Sequence, residues 1–367
     1  GEEALKRLFF ISICLVIVSI ASGSVVIGQR YPLGIMPSGI VKVENGYGTY
    51  YVTLVKGDSE LIVFDSSFKP VTIMDAVKND GVNDIIYRDG KLYCFGFFSG
   101  RLVIIDASGY PGRWKKIDEI PTSSRLITGA FIDGRLGILS NESEFIVLET
   151  INRTILKRYK LPVTALTIAE DSSHFYVSLF YNYNTLDRSM ETQKGLMVFD
   201  IDGQLSASLD IGKRPSYISI DGERLFLISY MEESLKVIDK ATLKVIKTIE
   251  LGRYPNYPVI QNGKLWISIT GEDRVASIDL ESYEATYYDL LGKGPIKTVP
   301  HGGMIYVLET ITGTLEILDE TGRFVETVKL EGYPVDIVFS GRDAAVLLQE
   351  DWKTGKNTGA MLTMRLN

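Results

Sequence analysis

The stretch Ser234–Ser268, SLKVIDKATLKVIKTIELGRYPNYPVIQNGKLWIS, decides the fold because it holds four short β-type runs in succession. These runs are LKVID, KVIKTIEL, NYPVI and KLWIS, and each is rich in Val, Ile, Tyr or Trp. Turn residues separate them, as expected where one strand ends and the next begins. The stretch therefore predicts consecutive short strands with no helix between them.

The same unit recurs along nearly the whole chain. An acidic residue closes the V-I-D type run of successive units 39 to 51 residues apart, at Asp65, Asp106, Glu149, Asp200, Asp239, Asp279 and Asp319. A proline turn that opens each unit is a second recurring feature. It occurs at Tyr31-Pro32, Arg214-Pro215, Tyr254-Pro255, Gly294-Pro295 and Tyr333-Pro334, with weaker counterparts near Val82, Thr122 and Val163. The spacing of the acidic residues and that of the proline turns both indicate eight units.

A period near 40 residues that contains only short strands is typical of a β-propeller with one four-stranded blade per period. The predicted fold class is therefore all-β, a single β-propeller of eight blades. A solenoid is disfavoured because no repeat contains a helical pattern. Seven blades is the alternative, if the irregular unit around Gly109–Lys160 merges with a neighbour.

The two ends of the chain predict how the last blade is completed. The final unit, Pro334–Asn367, offers three strand-like runs and is one strand short. Near the N-terminus, Ser24–Pro32 reads SVVIGQRYP, which is similar to the fourth-strand exit TIELGRYP at Thr248–Pro255. An N-terminal strand at Ser24–Gln29 would complete the last blade and cover its edge.

The repeat resembles a known family. VIDKATLKVIKTIELGRYP followed by NGKLWIS resembles the YVTN-type repeat of β-propellers from surface-layer and other secreted proteins. Tyr51-Val-Thr-Leu54, Tyr176-Val-Ser-Leu179 and Trp266-Ile-Ser-Ile269 stand where that family has Tyr-Val-Thr-Asn, so the final Asn is absent here. The resemblance covers roughly residues 25–367. It implies a propeller with a binding or surface role more often than an enzyme.

Composition narrows the class of partner. The 367 residues carry a net charge of -7 and no long basic run, which argues against nucleic acid because phosphate binding needs clustered Lys and Arg. The two cysteines, Cys14 and Cys94, exclude a disulfide framework, and Cys94 is predicted to be a buried, unpaired thiol in a strand. The expected partner is a protein or a glycan at the propeller face.

The N-terminal residues predict export. Leu8–Ile20 is apolar, and Ala21-Ser-Gly23 supplies the small residues of a cleavage site, so residues 1–23 form a signal peptide ahead of a propeller domain at 24–367. The alternative is an uncleaved membrane anchor, because no charge occurs from Leu8 to Gln29. Either reading predicts an extracellular or cell-surface location, with membrane contact only through this segment.

Candidate binding residues fall in the turns and in two insertions. Tyr and Arg supply much of the binding energy in recognition sites. The connections that lead into first strands carry such residues, and two insertions add others: Tyr217, Tyr254, Tyr257, Tyr333, Arg214 and Arg253, with Tyr181, Tyr183, Asp187 and Arg188 of Phe180–Lys194, and Trp352 of the last unit. Tyr31 and Arg30 occur in the same kind of motif. The structural alternative is ordinary Tyr-Pro turn chemistry.

The turns between second and third strands are rich in acid. They carry Asp58, Glu60, Glu142, Glu144, Asp187, Glu191, Glu232, Glu233, Glu272, Asp273, Glu309, Glu350 and Asp351. A face of one sign attracts cationic partners, and several oxygen donors can hold Ca²⁺. The alternative is that these exposed turns are simply solvated. No cofactor is predicted, and Ca²⁺ stays open.

Catalytic signatures are scarce. The sequence holds two histidines, His174 and His301, and neither is expected to have a positioned partner within its own unit. No nucleophile elbow, zinc-helix or phosphate-loop motif occurs. The main hypothesis is an exported, non-enzymatic binding or cell-surface module. The alternatives are a calcium-dependent, lactonase-like hydrolase or lyase that uses channel carboxylates, and a structural repeat of a surface layer.

Overall fold

The computed structural model describes residues 25–75, 77–122, 125–180, 195–212, 214–350 and 358–367. In these residues the chain forms eight four-stranded antiparallel blades arranged as a β-propeller. The prediction of an all-β propeller with eight rather than seven blades is confirmed. None of the helical segments in the described ranges has the length and apolar character that a membrane crossing requires.

The first half of the chain supplies the strand that later completes the last blade and then four blades. The strands are β1 (Val25–Ile35); β2 (Pro37–Asn45), β3 (Gly48–Val55), β4 (Glu60–Asp65) and β5 (Pro70–Met74) in blade 1; β6 (Val82–Arg88), β7 (Lys91–Gly96), β8 (Arg101–Asp106) and β9 (Lys115–Pro121) in blade 2; β10 (Leu126–Ile132), β11 (Arg135–Ser140), β12 (Glu144–Glu149) and β13 (Thr154–Lys160) in blade 3; and β14 (Ala165–Glu170), β15 (His174–Leu179), β16 (Leu196–Asp200) and β17 (Leu205–Leu209) in blade 4.

The second half repeats this arrangement. The strands are β18 (Pro215–Asp221), β19 (Arg224–Ser229), β20 (Ser234–Asp239) and β21 (Lys244–Glu250) in blade 5; β22 (Pro255–Gln261), β23 (Lys264–Ile269), β24 (Arg274–Asp279) and β25 (Ala285–Asp289) in blade 6; β26 (Pro295–His301), β27 (Met304–Glu309), β28 (Thr314–Asp319) and β29 (Phe324–Lys329) in blade 7; and β30 (Tyr333–Ser340), β31 (Asp343–Gln349) and β32 (Thr358–Leu366) in blade 8. Short 3₁₀ turns occur at Pro111–Arg113 and Thr270–Glu272.

The chain divides into two compact units. Unit 1 comprises Gly1–Ser123 and Val299–Asn367, and unit 2 comprises Ser124–Thr298. Unit 1 therefore holds blades 1, 2 and 8 with most of blade 7, and unit 2 holds blades 3 to 6. Each candidate site described below lies within one unit.

The N-terminal strand completes blade 8, as predicted. β1 pairs antiparallel with β32, with Val25 opposite Leu366 and Ile35 opposite Thr358, and the strand order is β30-β31-β32-β1. The predicted bounds, Ser24–Gln29, are wrong at the C-terminal end, because the strand continues to Ile35. Ser24 lies outside the described residues.

The prediction that Tyr31-Pro32 opens the first repeat is also wrong. Tyr31 lies inside β1 opposite Met361. Its side chain is buried, and its ring centroid lies 5.8 Å from that of Phe64. The chain turns instead at Met36, which has a φ of 55°, and blade 1 begins at Pro37. Tyr31 is therefore a core residue rather than part of a binding surface.

The middle strands of each blade form the core. In blades 3 and 4 the buried rings of Phe145 and Phe199 lie 4.5 Å apart, and Phe145 also packs against Phe175. These strands are buried on both faces, which is why their sequences are continuous apolar runs. Cys94 is fully buried and unpaired in β7, as predicted, and burial raises the pKa of its thiol.

The acidic residues that mark the repeat act as caps of the turn between third and fourth strands. A carboxylate oxygen of Asp319 accepts hydrogen bonds from the backbone amides of Thr321 and Arg323 at 2.8 and 3.0 Å, and from the Thr321 hydroxyl at 2.6 Å. Asp279 caps the corresponding turn of blade 6, between β24 and β25, because its carboxylate accepts from the amide and the hydroxyl of Ser282. An aspartate at this position orders the turn through its own side chain, which explains the spacing of the motif.

These caps predict how stability depends on acid. Hydrogen bonds from the turn lower the pKa of five caps: Asp106, Glu149, Asp239, Asp279 and Asp319. A carboxyl with a lowered pKa in the folded state stabilises the fold above its ordinary pKa, and this contribution is lost as the pH falls through the folded-state value. We expect the free energy of unfolding to fall steeply below about pH 4. Asp319→Asn, which keeps the cap but cannot titrate, should flatten this dependence.

Urea unfolding followed by circular dichroism at a series of acidic pH values measures the effect. Asp221→Asn is the matched control, because the exposed Asp221 carboxylate makes no such hydrogen bond among the described residues. A pH dependence that is identical in Asp319→Asn and the unsubstituted chain would contradict the role given to the caps.

Candidate functional site

Each blade has one end where the second strand turns into the third, and we call it the upper end. The connection that leads into the first strand lies at the same end. In blade 5 the amide of Tyr230 donates to the carbonyl of Arg214 at 3.0 Å, and in blade 6 the amide of Thr270 donates to that of Tyr254 at 3.1 Å. These bonds hold the predicted tyrosine-bearing connections beside the predicted turns.

Two tyrosines predicted for the site meet in unit 2. Tyr217 on β18 and Tyr257 on β22 belong to the first strands of adjacent blades, and their ring centroids are 5.1 Å apart. β22 departs from regular pairing between Asn256 and Val259, and Tyr257 within this irregularity has a φ of 44°. Such irregularities redirect side chains, and Tyr257 remains 45% exposed.

A second aromatic pair lies at the upper ends of the same blades. The rings of Tyr230 and Tyr254 are stacked with centroids 5.2 Å apart and planes 24° apart. Phe180 packs edge-on against Tyr230 at 6.1 Å. Tyr254, with a φ of 60°, is 48% exposed. We call Tyr217, Tyr230, Tyr254 and Tyr257 the tyrosine surface.

Tyr230 was not predicted as a site residue. Its hydroxyl is partly buried, and burial together with the neighbouring Tyr254 raises its pKa, although Arg214 acts in the opposite direction. The only sequence signal for Tyr230 is its position at the start of the turn that follows β19. Its pairing with Tyr254 depends on contact between two blades, which the repeat pattern does not specify.

The predicted arginines flank these rings. Arg214 directs Nη1 to the sulfur of Met231 at 3.7 Å, and Met231 is itself exposed. Arg253 donates from Nη2 to the carbonyl of Gly271 at 2.9 Å, and its backbone amide donates to Glu272 Oε1 at 3.0 Å. Arg214 is close enough to Tyr230 to affect its pKa, and Met231 and Arg253 are the chain neighbours of Tyr230 and Tyr254.

Tyr333 belongs to unit 1. It begins β30 and lines a cavity of about 400 Å³ together with Lys329, Glu331 and Glu350. Arg30, which precedes the Tyr31-Pro32 motif, links the residues around this cavity. It donates to the carbonyls of Leu330 and Glu331 and pairs with Glu350 at 3.1 Å. The other predicted residues, Tyr181, Tyr183, Asp187, Arg188 and Trp352, lie outside the described residues.

Three of the acidic residues predicted for the turns are engaged by nearby groups, whereas Glu191 and Asp351 lie outside the described residues. Asp58 Oδ2 accepts from the amide of Ile35 at 2.7 Å, Glu232 pairs with Lys236, and Glu272 pairs with Arg274. Among the described residues, no three His, Cys, Asp or Glu side chains come together as they would to hold a metal ion. The calcium alternative therefore gains no support from these carboxylates.

One acid predicted for the exposed turns is buried instead. Glu309 at the end of β27 and Glu316 on β28 are 0% and 1% exposed, respectively. Glu309 Oε2 accepts from the Thr314 hydroxyl at 2.5 Å. Burial raises the pKa of Glu309 to about 7, and the neighbouring Glu316 adds to this rise, while the Thr314 hydrogen bond opposes it. The two carboxyls form a buried acid pair.

Both histidines make local contacts in the part of the chain that the structure describes. The expectation that His174 lacks a partner in its own unit is wrong, because Nδ1 lies 2.8 Å from Ser173 Oγ and 4.0 Å from Asp171 Oδ1. Both contacts involve one ring nitrogen, whereas a catalytic triad uses both. His301 stacks on Phe339 with centroids 4.1 Å apart and contacts the Gly341 carbonyl through Nε2.

Comparisons with known proteins place the chain by fold. No protein-family model matches it. An uncharacterized protein of Lactococcus lactis subsp. cremoris is 23% identical over 189 residues, and the uncharacterized protein YwcC of Lactococcus lactis subsp. lactis is 22% identical over the same length. These matches cover 43% of this chain and 55% of each relative, so the chain spans about half the length of the curated relatives it matches. The YVTN resemblance stays a prediction.

Solved structures match over most of the chain. A computationally designed protein, Ika8, has a TM-score of 0.70 at 10% identity over 90% of this chain and 96% of that chain. BamB from Moraxella catarrhalis has a TM-score of 0.64 at 13% identity, over 92% and 97%. The dihydro-heme d1 dehydrogenase NirN has 0.69 at 12% identity, over 86% and 70%. At such identities these likenesses establish the fold alone.

Proposed function

We propose that this chain is an exported β-propeller that acts as a non-enzymatic binding module and engages a protein or glycan partner through the tyrosine surface. The observation that carries this proposal is the exposure of Tyr254 and Tyr257 beside aromatic neighbours that fix them. Both residues adopt positive φ, which is uncommon for an aromatic residue and is a recurrent feature of functional positions.

The geometry favours recognition in three ways. The rings sit on strands and short turns of a hydrogen-bonded scaffold, so little backbone order has to be gained on binding. Stacking of Tyr254 on Tyr230 restricts the side chain before a partner arrives. Tyrosine offers a large apolar face and a hydroxyl at low cost in conformational entropy, and arginine, present here as Arg214 and Arg253, is also enriched among residues that dominate binding.

Export is supported by the sequence. The apolar segment Leu8–Ile20 followed by small residues has the form of a secretory signal or membrane anchor. The resemblance to the YVTN-type repeat points in the same direction, since that family is found in surface-layer and secreted proteins. An extracellular or cell-surface location remains part of the proposal.

Replacing Tyr254 and Tyr257 together with Ala tests the site. We expect the affinity for the partner to fall at least about tenfold, since single aromatic hot spots contribute about 2 kcal/mol or more. The thermal unfolding temperature should change little, because both side chains are about half exposed. Surface plasmon resonance against ligands first identified on glycan arrays and in extracellular protein fractions provides the measurement.

Tyr47→Ala is the matched control, because Tyr47 is exposed in the turn between β2 and β3, at the opposite end of its blade. It should leave each interaction unchanged. If every identified interaction survives the double substitution, or if Tyr47→Ala weakens binding equally, the tyrosine surface is not the binding site.

A further inference from the structure

The cavity in unit 1 is formed by three segments of blades 7 and 8. The turn after β27 contributes Thr312 and Gly313, the connection after β29 contributes Lys329, Glu331 and Tyr333, and the end of β31 contributes Glu350. Its volume of about 400 Å³ falls in the range of small-molecule sites, about 300–1,000 Å³.

Hydrogen bonds fix the walls of this cavity. The Leu330 amide donates to the Gly313 carbonyl at 3.1 Å, and the Lys329 ammonium group donates to the Thr312 carbonyl. Arg30 pairs with Glu350, and the Thr358 hydroxyl donates to the other oxygen of that carboxylate at 2.8 Å. These contacts within the chain hold the lining in place, which lowers the entropic cost of binding.

Gly313 shows that the turn and the connection must approach closely. It has a φ of 64°, and a Cβ atom there would lie 2.8 Å from the carbonyl oxygen of Gly332. A side chain at this position would push the turn and the connection apart, so this part of the cavity lining is backbone.

The charges that surround the cavity balance. Lys329 and Arg30 are cationic, and Glu331 and Glu350 are anionic, with Arg30 and Glu350 already paired. A strongly charged ligand gains little net attraction from such a set. The Lys329 ammonium group has N–H donors beyond the one given to the Thr312 carbonyl, the Glu331 carboxylate accepts, and the Thr312 hydroxyl, which also contacts Thr314 Oγ1, can donate and accept. Tyr333 adds an aromatic ring to this polar lining.

We propose that this cavity binds a neutral, polyhydroxylated ligand of monosaccharide or disaccharide size. Each sugar hydroxyl donates and accepts, which matches a lining that offers both donors and acceptors, and the apolar face of a sugar ring packs on an aromatic ring. At about 30 Å³ per water molecule in the liquid, the cavity holds roughly a dozen water volumes, which is about the volume of two hexoses. The proposal is independent of the tyrosine surface.

Saturation-transfer NMR and calorimetry on the full chain test this site. The neutral probes are glucose, galactose, mannose, N-acetylglucosamine and maltose, and the charged comparators are glucosamine, glutamate and lysine. We expect at least one neutral sugar to bind saturably with a dissociation constant on the order of millimolar. Tyr333→Ala and the conservative Glu331→Gln should each weaken that binding at least about tenfold.

Tyr254→Ala, a substitution in the tyrosine surface, should leave sugar binding unchanged, so the two sites can fail separately. Three results would overturn the sugar site. These are no saturable binding of any neutral probe at tens of millimolar, equal binding by the Tyr333→Ala, Glu331→Gln and unsubstituted chains, or stronger binding of the charged comparators. Thermal unfolding of each variant confirms that the fold is retained.

Discussion

Replacing Glu309 with Gln should stabilise the folded chain by about 1–3 kcal/mol at pH 8 and change its stability little at pH 5. Glu309 and Glu316 are both buried on neighbouring strands, so ionisation of both places two negative charges in a poorly solvated site. Glutamine keeps an oxygen that accepts from Thr314 and removes one of these charges.

The direction of the pH dependence follows from the raised pKa. Burial and the neighbouring Glu316 raise the pKa of Glu309 from 4.5 to about 7. A group with a raised folded-state pKa contributes stability that is fully present below its ordinary pKa and is lost as the pH rises through the folded-state value. The unsubstituted chain should therefore lose stability between about pH 5 and 7, and Glu309→Gln should not.

Urea unfolding at pH 5, 6, 7 and 8 measures the difference, with unchanged slopes against urea as the check that the unfolding reaction is the same. Glu320→Gln is the control, because Glu320 is exposed in the turn after β28 of the same blade. If Glu309→Gln destabilises the chain at pH 8, the Glu309 carboxylate makes a net favourable interaction there. The claim that ionisation of Glu309 beside Glu316 destabilises the fold would then be wrong.

The buried acid pair also shows what the sequence alone does not reveal. Glu309 follows an apolar run and precedes a turn, which is the pattern of an exposed turn residue, and we predicted it as such. Its burial depends on which face of β27 it occupies and on the blade packed against that face. Middle strands are buried on both sides, so their apolar runs do not show which face a terminal residue joins.

The blades themselves could be predicted because their signals are local. A β-type run, an acidic cap such as Asp279 and a proline turn occur within about 40 residues of one another. Each blade can therefore be predicted from its own sequence, without reference to the neighbouring blades. The motif at Tyr31-Pro32 has the same letters as Tyr254-Pro255 but a different environment. Its pairing with β32, more than 300 residues away in sequence, converts a turn motif into part of a strand.

Only part of the tyrosine surface could be predicted from the sequence of each repeat. The positions of Tyr217, Tyr254 and Tyr257 in or near the entries of first strands could be predicted from the repeat. Their partners could not, because the Tyr217–Tyr257 and Tyr230–Tyr254 contacts each join two blades. The spacing of the repeat fixes which residues reach the upper end of a blade, whereas ring-to-ring contact depends on the twist between adjacent sheets.

Removing β1 should have the largest effect on the fold. A chain of residues 36–367 lacks the strand that covers β32 and loses the buried side chains of Val25, Tyr31 and Leu33. Burial of three such side chains contributes about 5 kcal/mol or more, comparable to the whole stability of many domains. The edge of β32 would also be open to pairing with another molecule. We expect loss of cooperative unfolding, or oligomers formed through this edge.

A chain of residues 25–367 is the matched control. It differs from the full chain only by the removal of residues 1–24, and it retains β1. Thermal unfolding and light scattering after size exclusion compare the two chains. A synthetic peptide of residues 25–35 should restore a monomeric, cooperatively unfolding state to the 36–367 chain, and a peptide with the same composition in scrambled order should not. A monomeric 36–367 chain with an unchanged unfolding temperature would show that β1 is dispensable, and blade 8 would then be stable with three strands. Restoration by the peptide would instead show that the pairing of β1 with β32, rather than chain connectivity, completes the last blade.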